Sequence, residues 1–487
     1  MGGGIFMDLR PILLVIGLLL IPLGLGMLVP ALVDASLSHP EWQVFLTTSA
    51  LTLFVGAGLF LSNRGASEEL NVKQAFLLTV LVWLVLPGFA SLPFVFSELD
   101  MRFTDAFFES MSGLTTTGST VISGLDTAPP GILMWRALLQ WLGGIGIIVM
   151  AIAVLPMLKI GGMQLFRMES SDTSDKILPR VTQISGAITA LYFTLSIACF
   201  LALVFAGMTT FEAAAHAMTT ISTGGFSTSD QSLAYFDSGL IDAIEVVFMI
   251  IGSLPFVLYL QVMRGRPLKL WQDDQVRFFL SLVFILILFL AVWLMLAKDF
   301  AFLQALRYAS FNTVSILTGT GYSNAAFDSW GPVALVFFFI IMFIGGCAGS
   351  TTCGIKVFRF QVLFAGVATQ MKKLSQPHAV YKPKFNGRPI PETVTDSVMG
   401  FLFLFAVTFV GLALALTLTG LDFLTALSGA ATSIANVGPG LGDVIGPSGT
   451  FGSLPDSAKW ILTLGMLLGR LELLTVFILF TPTFWRA

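Results

Sequence analysis

Apolar residues in this chain come in long runs rather than in alternation. Stretches near 11–33, 45–63, 75–97, 132–158, 187–207, 240–262, 278–297, 332–348, 398–419 and 460–482 can each cross a hydrocarbon core, which takes about 20 helical residues, so they predict ten spans. Connections on one side of these spans alternate between trivial and peculiar. The peculiar ones share a format: a span, a semi-apolar helix too short to cross, a glycine-bearing polar loop, then another span. They run from Thr104 to Thr120, Thr210 to Thr228, Phe302 to Asn324 and Asp422 to Gly442.

Self-similarity at a long period changes the whole fold prediction. Aligning the loops as TTGST (116–120), STGGF (222–226), GTGYS (319–323) and NVGPG (436–440) puts Gly118, Gly224, Gly321 and Gly438 in register, 106, 97 and 117 residues apart. The expected fold is an all-α polytopic membrane protein: four pseudo-repeated helix–pore-helix–helix units around a central ion pore, preceded by a two-helix hairpin. The boundaries read 1–70 for the hairpin, 71–160, 161–265, 266–390 and 391–487 for units 1 to 4, with an interrupted span in unit 3. Thr104-Asp105, Thr209 or Thr210 ahead of Glu212, and Asp422 are residue types that cap or favourably charge a helix start; the third short helix lacks such a signal.

Composition agrees with burial in lipid, at 56% hydrophobic and 11% charged residues. The first run is too long for a signal-peptide core and has no basic leader, so it reads as a retained helix, and MGGGIF lacks the hydroxyl residue of a myristoylation signal. Cys199, Cys347 and Cys353 are too few for a disulfide framework or a four-thiolate zinc site. A net charge of −3 argues against a nucleic-acid partner. Its placement is more informative. One side collects Arg10, Arg64, Lys73, Lys159, Arg167, Lys176, Arg180, Arg264, Arg266, Lys269, Arg277, Lys356, Arg359, Lys372, Lys373, Lys382, Lys384, Arg388 and Arg486; the other holds Arg102, Lys298, Arg307 and Lys459, with Arg136 near the border. By the positive-inside rule both termini are cytoplasmic.

Non-helical backbone at membrane depth is tolerated only where it is buried in protein or faces water, so four such loops imply a shared polar axis. Glycine lets successive carbonyls turn to one side, and rings of carbonyls replace the hydration shell of a monovalent cation, as in the TVGYG filter of potassium channels. GTGYS is the closest of the four to that pattern. The candidate cation-binding residues are Thr116, Thr117 and Gly118; Ser222, Thr223 and Gly224; Gly319, Thr320 and Gly321; and Asn436, Val437 and Gly438. The alternative is that these glycines serve close helix packing. Glu98, Asp100, Asp105, Glu109 and Asp126 around the first loop suit attraction of cations, though a carboxylate in a first turn can equally stabilise a helix end.

Two features lie on the other half of the pore. IGGCAGSTTCGIK, Ile344 to Lys356, interrupts the second span of unit 3, and broken helices at membrane depth commonly mark ion sites or moving parts. It could plug the pore, or it could be a small-residue packing seam. LLGRLELL, Leu467 to Leu474, puts Arg470 and Glu472 inside the last span, two residues apart and so unable to face each other on one helix. A pore-facing Arg470 would repel cations; the other reading is a structural ion pair with a neighbouring helix. No enzyme signature occurs: His39, His216 and His378 make no HExxH, there is no GxSxG, and GSTTCGIK has Ile355 where a phosphate-binding loop needs lysine. His216 reads as a packed histidine.

The four loops, IGGCAGSTTCGIKVFR and the closing GRLELLTVFILFTPTFWR resemble the Trk/Ktr/HKT potassium-transporter superfamily, and its bacterial TrkH-type membrane subunits in particular, over nearly the whole chain; MDLRPILLVIG from Met7 resembles their usual start. The resemblance implies potassium uptake across the bacterial cytoplasmic membrane, with K+ as the transported ion, no covalently bound cofactor, and no enzymatic activity. It implies one key filter glycine per loop, on Gly118, Gly224, Gly321 and Gly438. It also implies an intramembrane gating loop spanning Gly345, Gly346, Gly349, Ser350, Thr351, Thr352 and Gly354, and a pore arginine at Arg470. Such subunits form homodimers in the lipid bilayer and dock a TrkA-like cytoplasmic ring that binds nucleotides. Thr352 and Cys353 depart from a loop commonly richer in glycine and imply a stiffer gate. The rival within transport is obligatory symport with Na+ or H+, for which Glu472 and Glu245 are the carboxylates that could cycle their charge. A third reading makes the chain a scaffold, with Lys372 to Arg388 docking a soluble partner.

Overall fold

The computed structural model describes residues 7–66, 70–153, 181–376 and 378–486. The boundary expected at 160/161 and the basic residues Lys159, Arg167, Lys176 and Arg180 lie outside the described residues. The chain is an all-α, multi-pass membrane protein. Among the described residues seven helices are long and apolar enough to span, or up to nine if two bent pairs are each one span.

Three of the ten expected spans depart sharply from a single helix; those at 11–33 and 75–97 carry only a one-residue break, at Met27 and Ser91, and the end of the 132–158 span lies outside the described residues. The 240–262 run is Gly239–Gly252 followed by Phe256–Met263 at 94°, and the 460–482 run turns by 104° between Asp456–Arg470 and Leu474–Phe480. Pro255 accounts for the first bend, since proline removes a backbone donor and disfavours helix in the residue before it. The 332–348 run is helical only over Pro332–Ile341; the expected interruption follows it, and helix resumes at Val357–Ser375.

In the N-terminal hairpin, Arg10–Gly26 packs against Trp42–Ser62 through glycine. A β-carbon on Gly17 would stand 2.8 Å from the Gly56 carbonyl oxygen, and Ser49 Oγ donates to the Gly24 carbonyl at 2.7 Å. In lipid, such close backbone approach and interhelical hydrogen bonding hold helices together where the hydrophobic effect cannot. The hairpin is tied to unit 1 by Asp34, whose Oδ1 accepts from the Gly131 amide at 2.6 Å.

The four short helices are Phe103–Leu114, Thr210–Ile221, Phe302–Leu317 and Phe423–Ala435. Their starts follow chemistry in two of the three expected cases. Thr209 and Glu212 form a full capping box, and Asp422 accepts from the Leu424 and Thr425 amides; Ala301 leaves the third helix uncapped, as expected. In the first, Arg102 holds the cap position with no side-chain capping bond. Asp105 instead pairs with Arg102 and with the buried Lys459, at 2.5 Å for the latter, because a full ammonium outcompetes a backbone amide for the carboxylate. Asp105, then Asp456, push the exposed Arg102 guanidinium above its ordinary pKa. Replacing Thr209 with alanine removes the hydroxyl that accepts from the Glu212 amide and donates to its carboxylate, while the Thr209 backbone bond to that carboxylate can remain. The change is expected to cost about 1 kcal/mol, read as a lowered unfolding midpoint in detergent with flux unchanged.

One small sheet was not expected. Lys384–Phe385 pairs antiparallel with Arg388–Pro389 across Asn386-Gly387, both at positive φ. Asn-Gly is the strongest short hairpin signal, obscured by its basic surroundings. Asn386 anchors the hairpin by exchanging bonds with Asp274.

Candidate functional site: a closed ring of four loops

Each short helix ends in the same way. Thr116, Thr223, Gly319 and Asn436 adopt left-handed φ of 51°, 51°, 72° and 52°. The following amides, of Thr117, Gly224, Thr320 and Val437, reach back to Ser112, Thr219, Ser315 and Thr432 carbonyls at 2.8, 2.8, 2.9 and 3.0 Å. This is the Schellman arrangement that closes helix C-termini. The next residue is a glycine at φ 85°, 80°, 81° and 113°: Gly118, Gly225, Gly321 and Gly438.

Loop 2 is therefore one residue out of the register expected from sequence. Its central glycine is Gly225, not Gly224, and the equivalent triplet is Thr223-Gly224-Gly225 rather than Ser222-Thr223-Gly224. Ser222 is the helix-capping residue, in ordinary helical conformation. The reason is physical: the left-handed turn at Thr223 fixes the phase of the loop, whereas two adjacent glycines offer the sequence no way to choose between them.

The corrected register closes a ring. A β-carbon on Gly118 would lie 2.2 Å from the Gly224 carbonyl oxygen, on Gly225 1.7 Å from that of Thr320, on Gly321 2.1 Å from that of Val437, and on Gly438 2.9 Å from that of Thr117. Loop 1 abuts loop 2, loop 2 abuts loop 3, loop 3 abuts loop 4, and loop 4 returns to loop 1. Only a residue without a side chain fits these positions, on both conformation and space. Asn436 Nδ2 further links loop 4 to loop 1 through Thr117 Oγ1 at 2.9 Å.

Behind the ring, one register position is used repeatedly. Nine residues before the central glycines stand Glu109, His216, Asn312 and Gly429. Glu109 accepts from Thr120 Oγ1 and the Val121 amide, His216 Nε2 bonds Ser227 Oγ at 3.0 Å, and Asn312 Nδ2 donates to Asn324 Oδ1 at 2.7 Å. Each ties its short helix to the outgoing limb of its own loop. His216 is thus a packed, fully buried histidine. Glu109 is no surface attractor of cations: it is fully buried against Arg136, 2.8 Å away. Sequence reading missed Arg136 and its neighbour Gln140 as loop supports; their signal was the burial cost of a charge and an amide inside an apolar span.

The interrupted segment of unit 3 lies against the C-terminal ends of the short helices. Cys353 Sγ is 3.6 Å from Thr116 Oγ1, and Gly345 and Gly346 pack so tightly on Cys353 and Thr352 that neither could carry a β-carbon without displacement. Thr352 Oγ1 bonds Ser350 Oγ at 2.7 Å and the Gly346 amide at 3.2 Å, Thr351 donates to the Gly252 carbonyl at 2.9 Å, and Gly349 and Gly354 have φ of 74° and 70°. Lys356 Nζ turns back to the Thr352 carbonyl.

Arg470 ends its helix against this segment, 4% exposed. Its NH1 donates to Cys353 Sγ at 2.7 Å and the Thr351 carbonyl at 3.5 Å, and its NH2 to the Gly143 carbonyl at 3.3 Å. Among the described residues it has no carboxylate partner. Glu472, after the bend, pairs instead with Arg359 at 2.5 Å, whose guanidinium also stacks on Phe401 at 3.8 Å. The sharp turn that separates Arg470 from Glu472 runs through positive φ at Glu472 and Leu473, 57° and 55°. Gly354, Lys356, Asn436, Arg470 and Glu472 line a common cavity on this side of the ring. Glu245 is elsewhere, fully buried behind loops 2 and 3 and bonded to Thr220 Oγ1 at 2.5 Å.

Four membrane-embedded loops closed into a carbonyl-edged ring, with a cationic side chain and a folded segment below, define a protein of the ion-translocating class. The comparisons agree with that class. The TrkH family model, described as cation transport protein, matches residues 41–486. The Trk system potassium uptake protein TrkI of Halomonas elongata is 44% identical, covering 98% of this chain and 97% of its own. The TrkH of Escherichia coli K12 is 41% identical over 99% and 100%. The crystal structure of the potassium transporter TrkH from Vibrio parahaemolyticus superposes with a TM-score of 0.91 at 41% identity, covering 99% of this chain and 100% of that one. The chain belongs to the TrkH family, a family of transporters and not of enzymes.

Proposed function

We infer that this chain carries out potassium uptake through a gated, carbonyl-lined filter. The closed ring made by Gly118, Gly225, Gly321 and Gly438 with the carbonyls of Thr117, Gly224, Thr320 and Val437 carries this reading, since such oxygens can stand in for the hydration shell of K+. Thr116, Thr223, Gly319 and Asn436 set the loops' phase. The negative dipole ends of the four short helices favour a cation beside them. K+ is the only group the reading requires.

The segment from Gly345 to Gly354, with Ser350 to Thr352 at its centre, is the gate, and Arg470 its electrostatic barrier. Gated conduction is favoured over obligatory symport, because Glu472 is paired with Arg359 and Glu245, bonded to Thr220, lies behind the loops and does not line the cavity beneath the ring. The chain divides into the hairpin 1–70 and the units 71–160, 161–265, 266–390 and 391–487. It resides in the bacterial cytoplasmic membrane with both termini cytoplasmic, supported by the distribution of lysine and arginine. It works as a homodimer with a TrkA-like, nucleotide-binding cytoplasmic subunit.

The test is rubidium and sodium flux into liposomes holding the purified chain under a clamped potential, which drives cations by about 2.3 kcal/mol per charge per 100 mV. Rubidium is expected to enter at least about tenfold faster than sodium, a difference of about 1.4 kcal/mol. Equal rates would remove the filter reading, and absence of flux with and without a regulatory subunit would remove the pore.

A further inference from the structure

The helix that leaves loop 1, Pro130–Ala153, carries two polar side chains one turn apart that reach away from their own unit into loop 2. Arg136 takes the buried Glu109 with Nε and donates with NH1 to the Ser227 carbonyl at 2.9 Å; its guanidinium lies 4.1 Å from the centre of the Phe226 ring. Gln140 donates with Nε2 to the Gly224 carbonyl at 2.6 Å and accepts with Oε1 from the Phe226 amide at 3.0 Å. Both are essentially inaccessible, at 1% and 0%.

Gly224 is a member of the ring: its carbonyl oxygen is the one against Gly118. Among the described residues no other side chain donates to any of the four ring carbonyls. Gln140 also explains why loop 2 has two glycines. Gly225 supplies the left-handed turn, whereas a β-carbon on Gly224 would stand 2.3 Å from Gln140 Cδ and 2.4 Å from its Oε1.

We propose that Gln140 is a specificity-determining positioning residue, which fixes the distance of the Gly224 oxygen from the pore axis and thereby the ring's preference for K+ over the smaller Na+, with the Glu109–Arg136 pair holding the same loop from above. The proposal rests on the filter reading. A ring discriminates by size only if its oxygens resist closing on a smaller ion. A two-point clamp, with donor and acceptor on one planar amide, supplies that resistance across the two peptides that flank Gly225. Among the described residues the equivalent carbonyls of Thr117, Thr320 and Val437 accept no side-chain bond, and only the peptide of Val437 has a side-chain tether, from the Gly438 amide to Thr432 Oγ1 at 2.9 Å.

Gln140→Leu keeps the volume and removes both bonds; Gln140→Glu keeps the shape and the acceptor toward Phe226 and replaces the donor. In the liposome assay both are expected to raise the sodium-to-rubidium flux ratio by roughly tenfold, the scale of one buried hydrogen bond, with rubidium flux within about threefold of wild type. The unfolding midpoint measures any structural cost separately. If wild type selects rubidium and both variants keep its ratio, the clamp is wrong and the filter stands. If wild type itself does not select, the filter reading falls first. A variant that loses stability in proportion to rubidium flux, with its ratio unchanged, reduces Gln140 to a packing residue and overturns the proposal.

Discussion

Gly225→Ala is expected to abolish selective rubidium flux, by at least about a hundredfold, while Gly224→Ala retains flux and loses part of its selectivity. A left-handed φ of 80° at Gly225 costs an L-residue about 1–2 kcal/mol by itself. The added methyl would also stand 1.7 Å from the Thr320 oxygen, which is ring backbone and cannot retreat without opening the ring. Together these exceed the roughly 2.7 kcal/mol that a hundredfold rate change requires. At Gly224 the obstacle is the end of the Gln140 side chain, which can rotate aside at the expense of its two bonds. Rubidium and sodium uptake, normalised to folded protein by size-exclusion chromatography, checks the difference. Greater or equal damage from the Gly224 substitution would show that the loop 2 register is Ser222-Thr223-Gly224 after all.

That register marks the boundary of what the chain reveals before it is folded. The loops are legible because four glycine-bearing polar stretches in apolar surroundings have few physical explanations. The Thr209–Glu212 and Asp422 caps are legible because capping is local chemistry. The phase of loop 2 is not, since it depends on which residue, Ser222 or Thr223, takes the left-handed turn. Nor could Glu109 be assigned from sequence: beside Glu98, Asp100 and Asp105 it reads as part of an acidic mouth, and only the helix Pro130–Ala153 bringing Arg136 to within 2.8 Å makes it a buried pair. The bend after Arg470 has neither proline nor glycine at its turn and passes through Glu472 and Leu473. It is held by a partner, Arg359, more than a hundred residues away, and no local pattern announces it. The repeated use of one register position by Glu109, His216 and Asn312 becomes visible once Gly225 replaces Gly224 in the alignment, because only then do the three fall nine residues before their glycines.

The bend also decides what Arg470 can do. Had the last span been straight, Glu472 could have neutralised an arginine on a neighbouring helix while Arg470 faced lipid or another helix. As folded, Glu472 is consumed by Arg359, and Arg470 faces carbonyls and the Cys353 thiol, its Nε without a partner among the described residues. A positive charge is thus left beneath the ring, beside the segment proposed as the gate. Two like unit charges roughly 8 Å apart at an effective dielectric of about 20 repel by about 2 kcal/mol, which corresponds to about thirtyfold in rate. Arg470→Ala is accordingly expected to raise rubidium flux by about tenfold or more in the absence of any regulatory subunit. It also frees Cys353 and Thr351 from the bonds that hold the segment in place, so part of the gain reflects a looser gate. Arg470→Lys separates the two contributions: it keeps the charge, cannot reproduce the fork to Cys353 and Gly143, and is expected to stay within about threefold of wild type if charge is the barrier. An equal rise in both variants would assign the barrier to the lost hydrogen bonds, and no rise in either would remove Arg470 from the conduction path.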